Sequence, residues 1–169
     1  AIGHVTADLW PEGRVTAGGT VMYASRCARQ LVERVAVLTA AATLDLSETF
    51  PDIEVFRIEA ERTSQFWNVY DGGRRTQYTN PSSVVLNASH FARIKDTCAI
   101  VHAGPVCNEI DLSLIRALNR DQFLGITPQG WLRRWDADGR VAQHPDNWQD
   151  AGAVLARANA AVMSIEDIN

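Results

Sequence analysis

Gly18-Gly19 follows a short segment after Asp8 and opens a run with helical spacing from Thr20. A glycine pair there lets the backbone approach a ligand closely, and the free N–H groups of a helix start attract polar groups. Such pairs are also ordinary turns. The segment lacks both the G-x-G-x-x-G of dinucleotide sites and the G-K-S/T ending of a Walker loop, so it does not cradle a nucleotide phosphate. Towards the other end, Glu166-Asp167 follows an apolar run. A carboxylate there could hold a magnesium–water shell. It could equally close a capping box with Ser164 as N-cap and Asp167 three residues on, and local chemistry favours the cap. No G-x-S-x-G elbow occurs, and no serine stands in a catalytic pattern with His4, His90, His102 or His144. Cys98, His102 and Cys107 match no common zinc spacing, and the two cysteines read as buried free thiols. His102, on an apolar run, reads as an interior histidine.

The elements that must position these residues alternate between two periods. Ile2 to Val5 reads as a strand ending near Asp8, Val35 to Thr39 as a short buried strand, and Ala99 to His102, Phe123 to Thr127 and Ala161 to Met163 as later strands. Between them Thr20 to Val32, Glu109 to Leu118 and Gln149 to Ala158 read as helices. In the first, Val21, Ala24, Ala28, Leu31 and Val32 form the predicted inner face. Strand–helix–strand spacing argues for a parallel sheet covered by helices, with ligands at the carboxyl ends of its strands. Asp8, Gly104, Gln129 and Ser164 stand just past those ends.

Ser64 to Asn80 breaks the pattern. Asp71-Gly72-Gly73 supplies the positive φ angles of a tight hairpin turn. A two-residue loop puts Trp67, Val69, Thr76 and Tyr78 on one face and Phe66, Asn68, Tyr70, Arg75 and Gln77 on the other. The second face is rich in hydrogen-bonding groups, which suits either a plain amphipathic edge hairpin or a flap over a polar ligand.

Composition bounds the partners. The chain has 169 residues, 46% of them apolar, enough for one core but not for a second full domain. A net charge of −4 argues against a nucleic-acid surface. Arg133-Arg134, followed by Asp136 and Asp138, reads as a solvated strand edge rather than a phosphate patch. No apolar run approaches the ~20 residues of a membrane span, and no secretory signal is visible. Three cysteines cannot all pair within the chain, which suits a reducing cytoplasm.

Taken in order, these pieces resemble the ribokinase-like (PfkB-type) carbohydrate kinases. The resemblance rests on Gly3-His4-Val5-Thr6-Ala7-Asp8, Gly18-Gly19 before a helix, Val35 to Thr39, the flap hairpin, His102-Ala103-Gly104-Pro105-Val106 with Glu109, Ile126-Thr127-Pro128-Gln129-Gly130, and Ser164-Ile165-Glu166-Asp167. It implies an α/β fold, a Rossmann-like three-layer parallel sheet with a small β lid formed from about 10–17 and 53–80, in one domain over 1–169. It also implies ATP-dependent phosphoryl transfer, with Mg2+, to a hydroxyl of a sugar, nucleoside or polyol. Carried over by position, Asp8 bonds substrate hydroxyls, Gly18 and Gly19 give the backbone approach and lid hinge, and Asn68 meets the substrate from the lid. Gly104 stands where some members place a glutamate near the sugar. Ser164 and Asp167 occupy the ends of the family's N-x-x-E motif, with Asp167 keeping the charge that would hold magnesium through water. Thr39-Ala40-Ala41-Ala42-Thr43 replaces the usual Gly-Asp-Asp.

The sequence reaches Asn169 without the family's G-A-G-D anion hole, its aspartate base or most of its adenine pocket. The expectation is therefore the substrate-holding part of such a kinase, truncated on its C-terminal side and inactive alone. The alternative is a non-catalytic sugar-binding or partner-binding module derived from one. An unrelated doubly wound domain is the third reading, and a helical or disordered Ser64–Asn80 would favour it. A sheet that stops near Val162 is expected to expose an edge, favouring a homo-oligomer, a missing C-terminal part or poor solubility.

Overall fold

The computed structural model describes residues 1–42, 45–144, 146 and 148–167. Thr43, Asn169 and the side chain of Glu166, all singled out above, lie outside the described residues. The core is a parallel sheet. β3 (Ala36–Ala41) pairs with β4 (Glu54–Glu59), and β7 (Ile100–Ala103) pairs with β8 (Phe123–Ile126), which pairs with β11 (Ala160–Ala161). Ile2 joins the two groups by bridging Leu38 and Ala103 in parallel.

The period of two along β3 sorts its side chains between two layers. Leu38 and Ala40 face a cluster built from Phe91, Leu114, Ile115, Trp131 and Val154, under α3 (Ala88–Phe91), α4 (Leu112–Arg116) and α6 (Ala151–Arg157). Val37 and Ala41 face the opposite cluster with Val21, Met22, Phe50 and Ile53, under α1 (Thr20–Arg29) and α2 (Leu46–Thr49). The three-layer α/β reading therefore holds. On β7, β8 and the residues after β11, Ile100, Phe123, Val162 and Met163 are exposed.

Several boundaries differ from the sequence reading. The first strand divides: Ile2 stays in the core, whereas β1 (Thr6–Leu9) leaves it for a second, mixed sheet ordered β2-β1-β5-β6. β2 (Val15–Gly18), β5 (Ser64–Asp71) and β6 (Arg74–Asn80) complete this lid. The lid thus gains Thr6–Leu9, and Glu54–Glu59, expected within it, pairs with β3 in the core instead. α1 ends at Arg29, so Leu31, 79% exposed, and Val32 lie past its end; its buried residues are Val21, Met22 and Ser25. α4 begins only at Leu112, leaving Glu109 in the preceding loop. β9 (Arg133–Trp135) and β10 (Val141–Gln143) form an unanticipated hairpin. Its turn accepts Thr79 N–H at Gly139 O, 2.8 Å, tying it to β6.

The lid hairpin follows the expected register. Trp67 pairs with Tyr78 and Val69 with Thr76, closing on Gly72-Gly73 at φ 54 and 82. Glycine takes two successive positive angles without strain. Trp67 and Tyr78 stack at 5.6 Å on one face, so the opposite face carries Asn68 and Gln77.

Candidate functional site

That polar face closes over a cavity of about 470 Å3, a size typical of small-molecule sites. Phe66, Asn68, Tyr70 and Gln77 line it from the lid, Gly19, Thr20 and Tyr23 from the start of α1, and His102 and Thr127 from the carboxyl ends of β7 and β8. Asp8 lines it from β1 and Arg133 from β9. The structure thus brings together Asp8, Gly19 and Asn68 of the residues expected from sequence. Gly18 and Gly104 do not line the cavity but stand directly behind residues that do.

The Asp8 carboxylate accepts Thr6 Oγ1–H at Oδ1, 2.8 Å, which leaves Oδ2 for a ligand. Burial raises its pKa above the ordinary value, against the lowering effect of the Thr6 hydroxyl. Across the cavity, Asn68 Oδ1 accepts from Gln77 Nε2 at 3.4 Å, leaving its own Nδ2 to donate. His102 Nε2 lies 3.0 Å from Thr127 Oγ1, while its Nδ1 has no partner. Burial lowers the His102 pKa to about 4, so the ring is neutral at pH 7. An acceptor carboxylate, an amide donor, a hydroxyl and a neutral imidazole around one apolar-floored cavity suit a neutral ligand with several hydroxyls.

The glycines set these groups. A Cβ on Gly18 would fall on the Asp8 carboxylate, 2.7 Å from its carbon. A Cβ on Gly19, at φ 88, would lie 2.5 Å from the backbone oxygen of His4. A Cβ on Gly104 would press Thr20 Cβ at 2.9 Å and His102 Cε1 at 3.1 Å, both on cavity residues. Gly18→Ala should therefore displace only a side chain, and Gly19→Ala should strain the backbone itself. We expect Gly18→Ala to melt near the parent temperature yet lose ligand affinity, and Gly19→Ala to lose about 2 kcal/mol or more of stability. Thermal melts of the two variants check this; equal melting temperatures would contradict it.

Behind the cavity runs the loop Pro105–Cys107. Glu109, only 2% exposed, accepts the backbone N–H of His4 at 2.8 Å, of Val106 at 3.0 Å and of Cys107 at 2.7 Å. Gly130 N–H donates to Pro105 O at 3.0 Å, and Arg133 Nη1 to Val106 O at 3.2 Å. Cys107 is buried against Thr79 Oγ1, and burial together with the Glu109 charge pushes its thiol up to about 12, so it is no nucleophile. Cys27 is exposed and Cys98 half-buried.

Sequence reading gives three of these residues no such role. His102 stands at a strand carboxyl end, a position that could have flagged it. Glu109, expected to open a helix, lies in the loop before it. Arg133, read as a solvated edge, is 7% exposed and lies over the Phe66 ring at 5.3 Å. Its neighbours Asp136 and Asp138 are exposed as expected, but the β9 pleat turns Arg133 inward.

Asp167 lies outside this cavity, in the 3-10 turn Ile165–Asp167. Its Oδ2 accepts Ser164 N–H at 2.9 Å, the half of a capping box expected from sequence, and its Oδ1 accepts Gln129 Nε2 at 3.2 Å. Among the described residues no group of three His, Cys, Asp or Glu could hold a metal ion, and the Asp167 oxygens already have N–H donors. This donor set does not fit a directly bound cation. Among the described residues, no helix is long and apolar enough to cross a membrane.

No family model matches the sequence, and no curated protein does. Solved structures do resemble it. One is a pyrophosphate-dependent kinase in the ribokinase family, complexed with a pyrophosphate analogue and myo-inositol. It superposes with a TM-score of 0.78 at 23% identity, over 98% of this chain and 61% of that one. Another, a pyrophosphate-dependent myo-inositol-1 kinase converted into a myo-inositol-3 kinase, gives 0.79 at 22% identity, over 98% and 59%. Adenosine kinase from Anopheles gambiae gives 0.56 at 8%, over 96% and 66%. The chain has the ribokinase-like, PfkB-type fold, and it spans about 60% of the length of the first two of these structures.

Proposed function

We propose that this chain is the acceptor-holding part of a phosphotransferase and binds a polyol or sugar between lid and core. One observation carries the reading: Asp8 and Asn68, expected from sequence to meet substrate hydroxyls, line a single cavity from two adjacent lid strands, above the start of α1. In this reading Asp8 accepts from ligand hydroxyls, Asn68 donates, and the His102–Thr127 pair closes the core side. Phe66 and Tyr70 supply apolar faces against which the C–H groups of a ring pack.

Solved structures of the same fold include kinases that use pyrophosphate, one of them complexed with myo-inositol. Cyclic polyols are therefore the first ligands to try, and the donor is either pyrophosphate or the ATP implied by the family resemblance. The chain's own residues bind and orient the acceptor.

Calorimetric titration with inositols, pentoses, hexoses and nucleosides checks the reading. A saturable heat for at least one polyol, abolished or strongly weakened in Asp8→Asn, is expected. No binding at millimolar ligand would refute it.

A further inference from the structure

The cavity between lid and core has two chemical zones. Its half-buried floor carries Asp8, Asn68, His102 and Thr127, with Gln129 of α5 (Gln129–Leu132) beside them. The four lining residues that are exposed are Trp10, Pro11, Tyr23 and Tyr70. Three of these are aromatic, with Trp10 46%, Tyr23 64% and Tyr70 69% exposed. None of the four is an Asp, Glu, Lys or Arg, so the rim suits an uncharged group.

Each aromatic continues a wall that begins at the floor. β1 and β5 pair in parallel with Asp8 opposite Phe66 and Leu9 opposite Trp67, which brings Trp10 level with Asn68. Side chains two residues apart share a face, so Trp10 lies beyond Asp8, and Tyr70 beyond Asn68, by about 7 Å of strand. On α1, Tyr23 stands about one turn beyond Thr20. A ligand seated on Asp8 and Asn68 therefore meets these rings at its outer end.

Trp10 is fixed in place before any ligand arrives. Its Nε1–H donates to Thr16 Oγ1 at 3.0 Å, and the Arg14 guanidinium lies over the ring at 4.4 Å. Its backbone is pinned across the turn, with Trp10 N–H donating to Arg14 O and Gly13 N–H to Trp10 O, both at 2.9 Å. Arg14 does not line the cavity, so it covers the side of the indole turned away from it. Such a ring buries little for the fold, yet it offers a ligand rigid contact area whose ordering entropy is already lost.

We propose that this rim is a subsite for a second sugar ring, so that the acceptor is a glycoside: a polyol or sugar joined to a further pyranose. The proposal rests on the polyol reading of the floor and extends it outward. The apolar C–H face of a pyranose packs flat on an indole, while the phenol hydroxyls of Tyr23 and Tyr70 can bond the hydroxyls at its edge. A nucleobase also stacks, but its edge calls for matched amide-like donors and acceptors, which phenols do not supply. A cavity of about 470 Å3 falls in the range that holds ligands of drug size rather than one small ring.

Calorimetric titration of the intact chain tests the subsite, with myo-inositol and its galactoside galactinol, glucose and maltose, ribose and adenosine. Parent, Trp10→Ala, Trp10→Phe and Thr16→Val are compared, and thermal melts check that each variant is folded. Galactinol or maltose bound about tenfold more tightly than its single-ring counterpart, with that margin lost in Trp10→Ala and kept in Trp10→Phe, supports the proposal. Thr16→Val, which frees the indole, should cut the margin about threefold. Binding of the single-ring ligand should be the same in all four proteins, because the floor is unchanged. Single-ring binding with no gain from the second ring, or a gain indifferent to Trp10→Ala, overturns the subsite and leaves the polyol reading standing. A gain for adenosine over ribose with none for galactinol or maltose also overturns it, by making the second ring a base. Absence of binding by all six ligands overturns both.

Discussion

Asp8→Asn is expected to weaken polyol binding by about 10- to 100-fold while leaving the fold at least as stable as the parent. The first part follows from the strength of hydrogen bonds to a charged acceptor, about 1.5–3 kcal/mol, each 1.4 kcal/mol being a factor of ten in affinity. Asn keeps the shape but replaces one acceptor oxygen by a donor. With Thr6 Oγ1–H occupying Oδ1, the lost acceptor is the one left for the ligand. The second part follows from the raised pKa of Asp8, whose main cause is burial. For a carboxylate raised in the folded state, the favourable contribution is complete below the unfolded value of 3.8 and is lost as pH rises through the folded value. At pH 7 the ionised side chain therefore opposes folding, and neutral Asn removes that opposition. The same sign predicts that parent affinity falls on acidification, over a range lying above that of an ordinary aspartate. Titration calorimetry at pH 7 and pH 5, with thermal melts of both proteins, measures all three. Equal polyol affinity in the parent and Asp8→Asn would remove Asp8 from the site.

This opposition between binding and stability explains why part of the site was legible in the sequence. Asn68 sits on a hairpin whose alternation sorts polar from apolar faces, so its orientation follows from the period, whereas Asp8 was reached through its place just past the first strand and the family resemblance. Gly72-Gly73 fixed the hairpin register in the same local way. The core strands were legible too, because Val35 to Thr39 and Phe123 to Thr127 are apolar runs bounded by turn signals.

What was not legible depends on contacts distant in the chain. Arg133 has exposed acidic residues just after it, and only the packing of Phe66 and Val106, far away in sequence, makes it a wall of the cavity. The helix from Thr20 stops at Arg29 because Leu31 N–H and Val32 N–H both turn back to Ala28 O, a tightening the helical pattern through Val32 conceals. Asp138-Gly139 was a hairpin signal of the kind used for the lid, with Gly139 at φ 82, and the β9–β10 hairpin was open to the same reasoning. Glu109 fitted the period of the helix that follows. Its partners, His4 among them, lie 105 residues away at the most distant.

Glu109 is accordingly where the largest stability effect is expected. Glu109→Ala should lower unfolding free energy by about 3–5 kcal/mol, a large part of the 5–15 kcal/mol typical of a domain. Its carboxylate is the acceptor for three backbone N–H groups, and none of them has another acceptor once it is gone. Each buried N–H left bare costs about 1–3 kcal/mol, so the loss exceeds that of an ordinary truncation. Asn108, at φ 62, already holds the loop in a left-handed turn that wraps this carboxylate, and the turn loses its purpose with the acceptor removed. Glu109→Gln should fall between parent and Ala, since one oxygen can still accept while the amide nitrogen faces donors. In urea, the midpoints should rank parent, Gln, Ala; coincident curves would show the three N–H groups to be satisfied otherwise. The same loop carries Val106, which lines the polyol cavity and whose carbonyl accepts from Arg133 Nη1. Glu109→Gln, where it remains folded, should therefore weaken polyol binding as well, since it loosens the loop that walls the cavity.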